Sequence, residues 1–185
     1  MKIKQITVFL IFVLISGKLY SQLSNQQKTV RLSIPEIAIL DIEPSYNNSI
    51  YISLEQPVKP GVQATIQKTS NEKLWINYTS SLLNSKNSRI IKAEISGGKI
   101  PDGIDLYLEV SDFSGSGKGK TGESSGKIKL TNYSKPIITG IGNCYTGDGI
   151  MNGHSLSFSL EINNYAKVHS ISDADFTILY TITDN

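Results

Sequence analysis

Ser155-Leu156-Ser157-Phe158-Ser159-Leu160-Glu161-Ile162-Asn163 and Phe176-Thr177-Ile178-Leu179-Tyr180-Thr181-Ile182-Thr183 decide the fold class of this 185-residue chain. In the first stretch Leu156, Phe158, Leu160 and Ile162 alternate with Ser155, Ser157, Ser159 and Glu161. Successive side chains of a strand point to opposite faces, so this order builds one face for a core and one for water. In the second stretch Phe176, Ile178, Tyr180 and Ile182 share a face, and threonine, a good strand former, occupies most of the other. Working outward, the same period-two pattern predicts strands at Val30 to Ile34, Ile37 to Ile42, Ile50 to Leu54, Val62 to Lys68 and Lys73 to Thr79. It continues at Arg89 to Ile95, Ile104 to Val110, Gly126 to Thr131 and Pro136 to Ile141. No amphipathic helical period persists for three turns. Short strands with turn residues about every eight to twelve positions predict an all-β chain folded as a single antiparallel β-sandwich.

The N-terminus reads as an address. Lys2 and Lys4 precede an apolar run from Ile6 to Ile15, which is too short to span a bilayer and is followed at once by Ser16-Gly17-Lys18. Residues 1–21 are therefore expected to be a secretory signal peptide, with the mature chain starting near Gln22 and forming one domain over residues 22–185. Secretion to the periplasm, the cell surface or the medium follows, with no membrane insertion of the mature chain. Removing that segment takes away three lysines and no acid, leaving fifteen basic against sixteen acidic residues. Nucleic acid is not expected as a partner, because phosphate binding needs clustered cations and only Arg31 and Arg89 carry guanidinium. Cys144 is the only cysteine, so no internal disulfide can form. It also lies far from the cleavage point, away from where a lipidated cysteine would sit, and is expected to pack as a small side chain near a turn.

Ser111 to Ser125 breaks the strand rhythm with Gly, Ser and Lys and reads as a flexible loop. Within it, Ser114-Gly115-Ser116-Gly117-Lys118-Gly119-Lys120-Thr121 imitates the end of a phosphate-cradling P-loop, although Ser114 stands where the leading glycine should be. The mechanism also needs a following helix, and Gly122, Ser124, Ser125 and Gly126 resist one. His154, His169 and Cys144 match no metal-ligand spacing. Asp148, Asp173, Asp175 and Asp184 make no calcium-loop pattern, and Glu36, Glu43 and Glu55 make no recognisable acid/base pair. No catalytic residue, metal site or cofactor is expected, and an exported hydrolase would need His154, Cys144 and a carboxylate to converge.

Pro136-Ile137-Ile138-Thr139-Gly140-Ile141-Gly142, Cys144 to Gly149, Gly153-His154 and the two closing strands resemble the end of secreted fimbrial subunits of the spore-coat-U type. Ile100-Pro101-Asp102-Gly103-Ile104-Asp105-Leu106 is similar to the entry into a middle strand of such domains. The chain departs from them in lacking a cysteine pair. The resemblance implies an immunoglobulin-like, pilin-like sandwich and assembly by strand donation, in which Val30, Leu32 and Ile34 would enter the sheet of the next subunit. The plainer alternative makes Val30 to Ile34 the first strand of the chain's own sheet. The expected function is a non-enzymatic structural or adhesive surface protein, a pilus-like or matrix subunit whose partner is itself or another surface protein. The alternative is a monomeric module binding a glycan or other surface ligand through Trp75, Tyr107, Tyr133 or Tyr145. Trp75, in Lys73-Leu74-Trp75-Ile76-Asn77-Tyr78, reads first as a core or half-buried packing residue.

Overall fold

The computed structural model describes residues 28–45, 53–55, 57–66, 74–83, 87–170 and 174–185, the side chains of 54, 65 and 66 excepted. The signal peptide and its cleavage point lie outside these residues, as do most of the strand expected at 50–54, residues 67 and 68, and Asp173. The described residues form strands β1 (Ile37–Glu43), β2 (Leu54–Glu55), β3 (Thr65–Ile66), β4 (Leu74–Ser81), β5 (Arg89–Gly98), β6 (Ile104–Val110) and β7 (Lys118–Gly119). They continue with β8 (Glu123–Ser124), β9 (Lys127–Lys129), β10 (Lys135–Ile141), β11 (Cys144–Tyr145), β12 (His154–Ile162) and β13 (Phe176–Asp184). One 3-10 turn, Tyr165–Lys167, is the only helical element among them. The described residues are all-β, and every strand pair among them is antiparallel.

Two sheets carry the core. In the larger, β4 pairs along one edge with β1 and along the other with both β11 and β12; β12 continues to β6 and then β9, and β7 pairs with β11. The smaller runs β13-β5-β10-β8, and β2 and β3 form a separate two-stranded ribbon. Alternation places Leu74, Ile76 and Tyr78 of β4, Leu106, Leu108 and Val110 of β6, and Leu156 and Phe158 of β12 on the buried side of the larger sheet. Ile91 and Ala93 of β5 and Ile137, Ile138 and Ile141 of β10 join the same core from the smaller one. β1 and β13 lie at sheet edges, and their inward residues Leu40, Ile42, Phe176, Ile178, Tyr180 and Ile182 are only half-buried.

The chain divides after Ile34 into two units. In the first, the strand expected at Val30 to Ile34 does not form: residues 28–34 belong to no strand, and Val30, Leu32 and Ile34 are 85, 81 and 72 % exposed. The alternation is real, but a strand exists only where a ladder partner meets it, and Pro35 removes one donor at the segment's end. In the second unit, residues 111–125 are not an uninterrupted loop. β7 pairs with β11 and β8 with β10, so this stretch passes from one sheet to the other. Its glycines permit the approach: at Gly117 an added Cβ would run into the backbone of Tyr145 and Thr146. Lys118–Gly119, where a P-loop would begin its helix, is strand, and β8 follows; the phosphate-binding geometry is absent from this stretch.

Candidate functional site

The outward face of β4 carries Trp75, Asn77 and Thr79, opposite in direction to the core residues Leu74, Ile76 and Tyr78. In register, Ile39 of β1 and Tyr145 of β11 flank Thr79, and Asp41 lies beside Asn77. β11 pairs with residues 79 and 80 of β4, and β12 with residues 74 to 76. The connecting residues 146–153 leave the sheet between those two pairings. Thr146 fixes where they leave: its N–H donates to the Tyr78 carbonyl at 3.0 Å, and its Oγ1 accepts from the Tyr78 N–H at 2.9 Å. The outcome is a shallow groove of about 360 Å³, lined by Ile39, Asp41, Asn77, Tyr78, Thr79, Tyr145, Gly147 and Asp148 and open to solvent. That is near the small end of ligand clefts, which span roughly 300–1,000 Å³.

Asn152 braces the wall of this groove. Its Nδ2 donates to the Asp148 carbonyl at 2.7 Å, while its Oδ1 accepts from Ser116 N–H at 3.1 Å and lies 3.2 Å from Ser116 Oγ. Its carbonyl accepts from Asn77 Nδ2 at 2.6 Å. Asn77 is 5 % exposed, and its Oδ1 has no hydrogen-bond partner among the described residues. A buried acceptor left unmatched costs about 1–3 kcal/mol. The lining contains two carboxylates, Asp41 and Asp148, and no cationic side chain.

Of the four aromatic candidates, only Tyr145 lines the groove, with 47 % of its surface exposed. Trp75 is half-buried, next to Glu43 and Ser155 in register. Tyr107, also half-buried, lies beside Ser159, four positions further along β12, and is covered by Lys127 Nζ 4.5 Å from its ring centre. Tyr133 is exposed in the turn before β10. The structure therefore spreads the four rather than making one stacking platform.

The polar groups that could have suggested hydrolysis lie in the core. His154 is fully buried, with Nδ1 2.8 Å from the Ser111 carbonyl and Nε2 2.9 Å from Tyr78 Oη. A carbonyl can only accept, so Nδ1 carries the proton. Tyr78 Oη also donates to the Thr121 carbonyl, giving its single proton two acceptors. Burial holds the imidazole below its usual proton affinity, against smaller opposing effects from the Ser111 and Thr121 backbone and Asp112. Burial, then Cys144 nearby, pushes the Tyr78 phenol up. Cys144 is buried, and burial raises its thiol to about 11, far from a nucleophilic thiolate. Both imidazole nitrogens are occupied by Ser111 and Tyr78, and no carboxylate orients the ring. Among the described residues no three His, Cys, Asp or Glu side chains are grouped to hold a metal ion, and no helix is long and apolar enough to cross a membrane.

A second cluster, not foreseen from sequence, surrounds Arg89 at the start of β5. This side chain is 3 % exposed yet donates to Glu36 Oε1 at 2.6 Å, Asp184 Oδ1 at 2.9 Å, Ser80 Oγ at 3.1 Å, the Ser81 carbonyl at 3.2 Å and the Ile37 carbonyl. One guanidinium thus ties β1, β4 and β13 together. Its position was written in the alternation, since Arg89 shares parity with the buried Ile91 and Ala93.

No family model, curated protein or solved structure matches the chain.

Proposed function

We propose that this is an exported, non-enzymatic structural or adhesive protein of the cell surface, built as an immunoglobulin-like β-sandwich and assembled by strand donation between copies. Export rests on the basic start and apolar run of residues 1–21. The observation that carries assembly is the exposure of Val30, Leu32 and Ile34 in a segment that alternates like a strand and belongs to none. The receiving site in this reading is the edge of β13 that pairs with no strand among the described residues, where Ile178, Tyr180 and Ile182 are half-buried and face the core on a regular two-residue period. An added strand gains main-chain hydrogen bonds along that edge and covers its apolar side chains with its own. Light scattering on the mature chain is expected to show multimers that grow with concentration, and Leu32→Asp is expected to abolish them without changing thermal unfolding. A wild-type protein that stays monomeric across the range, or multimers indifferent to Leu32→Asp, would overturn the reading.

A second reading, a binding module for a glycan or other surface ligand, is favoured by one observation: the exposed ring of Tyr145 borders a polar groove. A saccharide array probed with the mature protein tests it, and loss of signal in Tyr145→Ala is the expected result.

A further inference from the structure

We propose that His154 is an acid-sensitive latch: when its imidazole takes a second proton, residues 111–121 detach from the body of the fold and uncover the edge of β11 together with the Cys144 thiol. The latch holds that stretch at both ends. Nδ1 donates to the Ser111 carbonyl at 2.8 Å, and Nε2 lies 2.9 Å from Tyr78 Oη, which reaches on to the Thr121 carbonyl. The ring also stacks on Tyr78 and meets Phe113 edge-on, each at 5.9 Å between ring centres. Between the two anchors the stretch is lightly held. Its ladder is the two residues of β7 against β11, supplemented by the Ser114–Gly153 bridge and the Ser116 N–H bond to Asn152. Asp112, residues 114–116 and residues 118–120 are exposed. β4, which carries Tyr78, is by contrast a core strand.

The hydrogen bonds alone would tolerate a second proton, since Nε2–H could donate to Tyr78 Oη while Tyr78 gives its own proton wholly to Thr121. The charge is what the site cannot balance. The titratable groups around the imidazole are the Tyr78 phenol, the Cys144 thiol beside that phenol, and Asp112. Burial keeps the phenol and thiol neutral, and Asp112 is exposed and exerts the weakest of the influences on the ring. A buried cation without a counter-ion favours whatever opening hydrates it. Detaching an exposed stretch with a two-residue ladder disrupts far less than parting core strands. Burial weakens proton binding only while the stretch is closed, so the open fraction rises as pH falls below about 6.5. The rise is up to about tenfold per pH unit and levels off at the closed-form pKa. Cys144 reports the opening: an added Cβ on Gly119 would fall 2.8 Å from Cys144 Cα and 3.0 Å from its Cβ, so β7 lies directly over the cysteine.

The test is the labelling rate of Cys144 by 4,4′-dithiodipyridine, which still reacts with thiols in acid, measured on the mature chain at pH 7.5 and 5.0. Each rate is divided by that of the denatured chain at the same pH, which cancels the thiol's own pH dependence. The ratio is expected to rise about tenfold in wild type at pH 5.0 while Trp75 fluorescence stays native, and to stay level in His154→Gln. Amide hydrogen exchange on wild type gives a second measurement that needs no variant. After correction for intrinsic rates, the Ser114 and Lys120 amides, bonded to the Gly153 and Asn143 carbonyls, should lose protection at pH 5.0, and the Leu130 amide, bonded to Leu106, should keep it. A wild-type ratio that does not change, an equal rise in His154→Gln, or a loss of protection at Leu130 matching that at Ser114 and Lys120 would overturn the latch.

Discussion

Arg89→Lys tests whether the guanidinium fork, rather than its charge, holds the edge strands to the body of the fold. The two carboxylate partners are partly hydrated, with Glu36 46 % and Asp184 67 % exposed, so each ion pair is worth at most about 1 kcal/mol. The three other acceptors, Ser80 Oγ and the carbonyls of Ile37 and Ser81, share the two hydrogens of Nη1, which water cannot readily replace beside a side chain that is 3 % exposed. Each hydrogen bond from a charged donor contributes about 1.5–3 kcal/mol when both groups are buried. An ammonium on a flexible stem can retain roughly one of these contacts, because its donors radiate from a point. The expected loss is therefore about 3 kcal/mol, lowering Tm by roughly 6–12 °C for a domain of this size. Trp75, the single tryptophan and half-buried on β4, reports urea unfolding by its fluorescence. Glu36→Gln and Asp184→Asn should each cost little, since the remaining carboxylate still balances the charge. Together they leave the buried guanidinium without a counter-ion, and the double variant should lose more than the sum of the two. A midpoint for Arg89→Lys within about 0.5 kcal/mol of wild type at unchanged m-value, or strict additivity in the carboxylate cycle, would refute this account.

Three further outcomes are expected. Burial lowers the proton affinity of His154 below its ordinary value near 6.5, so the stability this group contributes is present above about pH 6.5 and lost as pH falls through the folded-state pKa. Tm measured at pH 7.5 and 5.5 should therefore drop more in wild type than in His154→Gln, and equal drops would contradict it. Cys144, raised to about 11, should resist a thiol reagent at pH 8 in the native protein and react at once in denaturant; rapid native labelling would show the thiol is reachable. At Gly153, where φ is +84°, an added Cβ would run onto the Ile76 carbonyl, whereas Gly126, at φ +67°, has open space around it. Gly153→Ala should cost more than about 3 kcal/mol by urea unfolding and Gly126→Ala about 1; equal costs would remove close backbone approach as the reason for Gly153.

The regular part of the fold was legible because a sheet with one buried face repeats its requirement every second residue. β6 spans the predicted Ile104 to Val110 without a shift, and β1, β4, β5, β10, β12 and β13 differ from prediction only at their ends. Alternation specifies which face a residue takes but not whether a partner strand exists. Val30, Leu32 and Ile34 have the pattern and no ladder. The reverse holds at Lys118–Gly119 and Glu123–Ser124, where the composition signals a loop and the backbone forms ladder bonds. Two-residue strands leave no periodic trace, and the glycines that weaken strand propensity there are what allow the backbones to meet.

The candidate groove was legible only as its parts. Tyr145 and Asp148 stood out singly, one as an aromatic in a turn-rich stretch and the other between two glycines. Nothing local connects them to Asp41, more than a hundred positions earlier in the sequence. What joins them is β4, which accepts β1 along one edge and shares the other between β11 and β12. That shared edge forces residues 146–153 out of the sheet opposite Asn77, and the outward bulge is what makes a wall of Gly147 and Asp148. Had β11 continued directly into β12 along β4, the same side chains would lie on a flat ladder with no concavity. The concavity of this surface therefore resides in a pairing irregularity, and the residues that fix it are Thr146 and Asn152. Neither was conspicuous in the sequence, since their roles depend on the backbone atoms they reach: Tyr78 N–H and carbonyl for Thr146, and the Asp148 carbonyl and Ser116 N–H for Asn152.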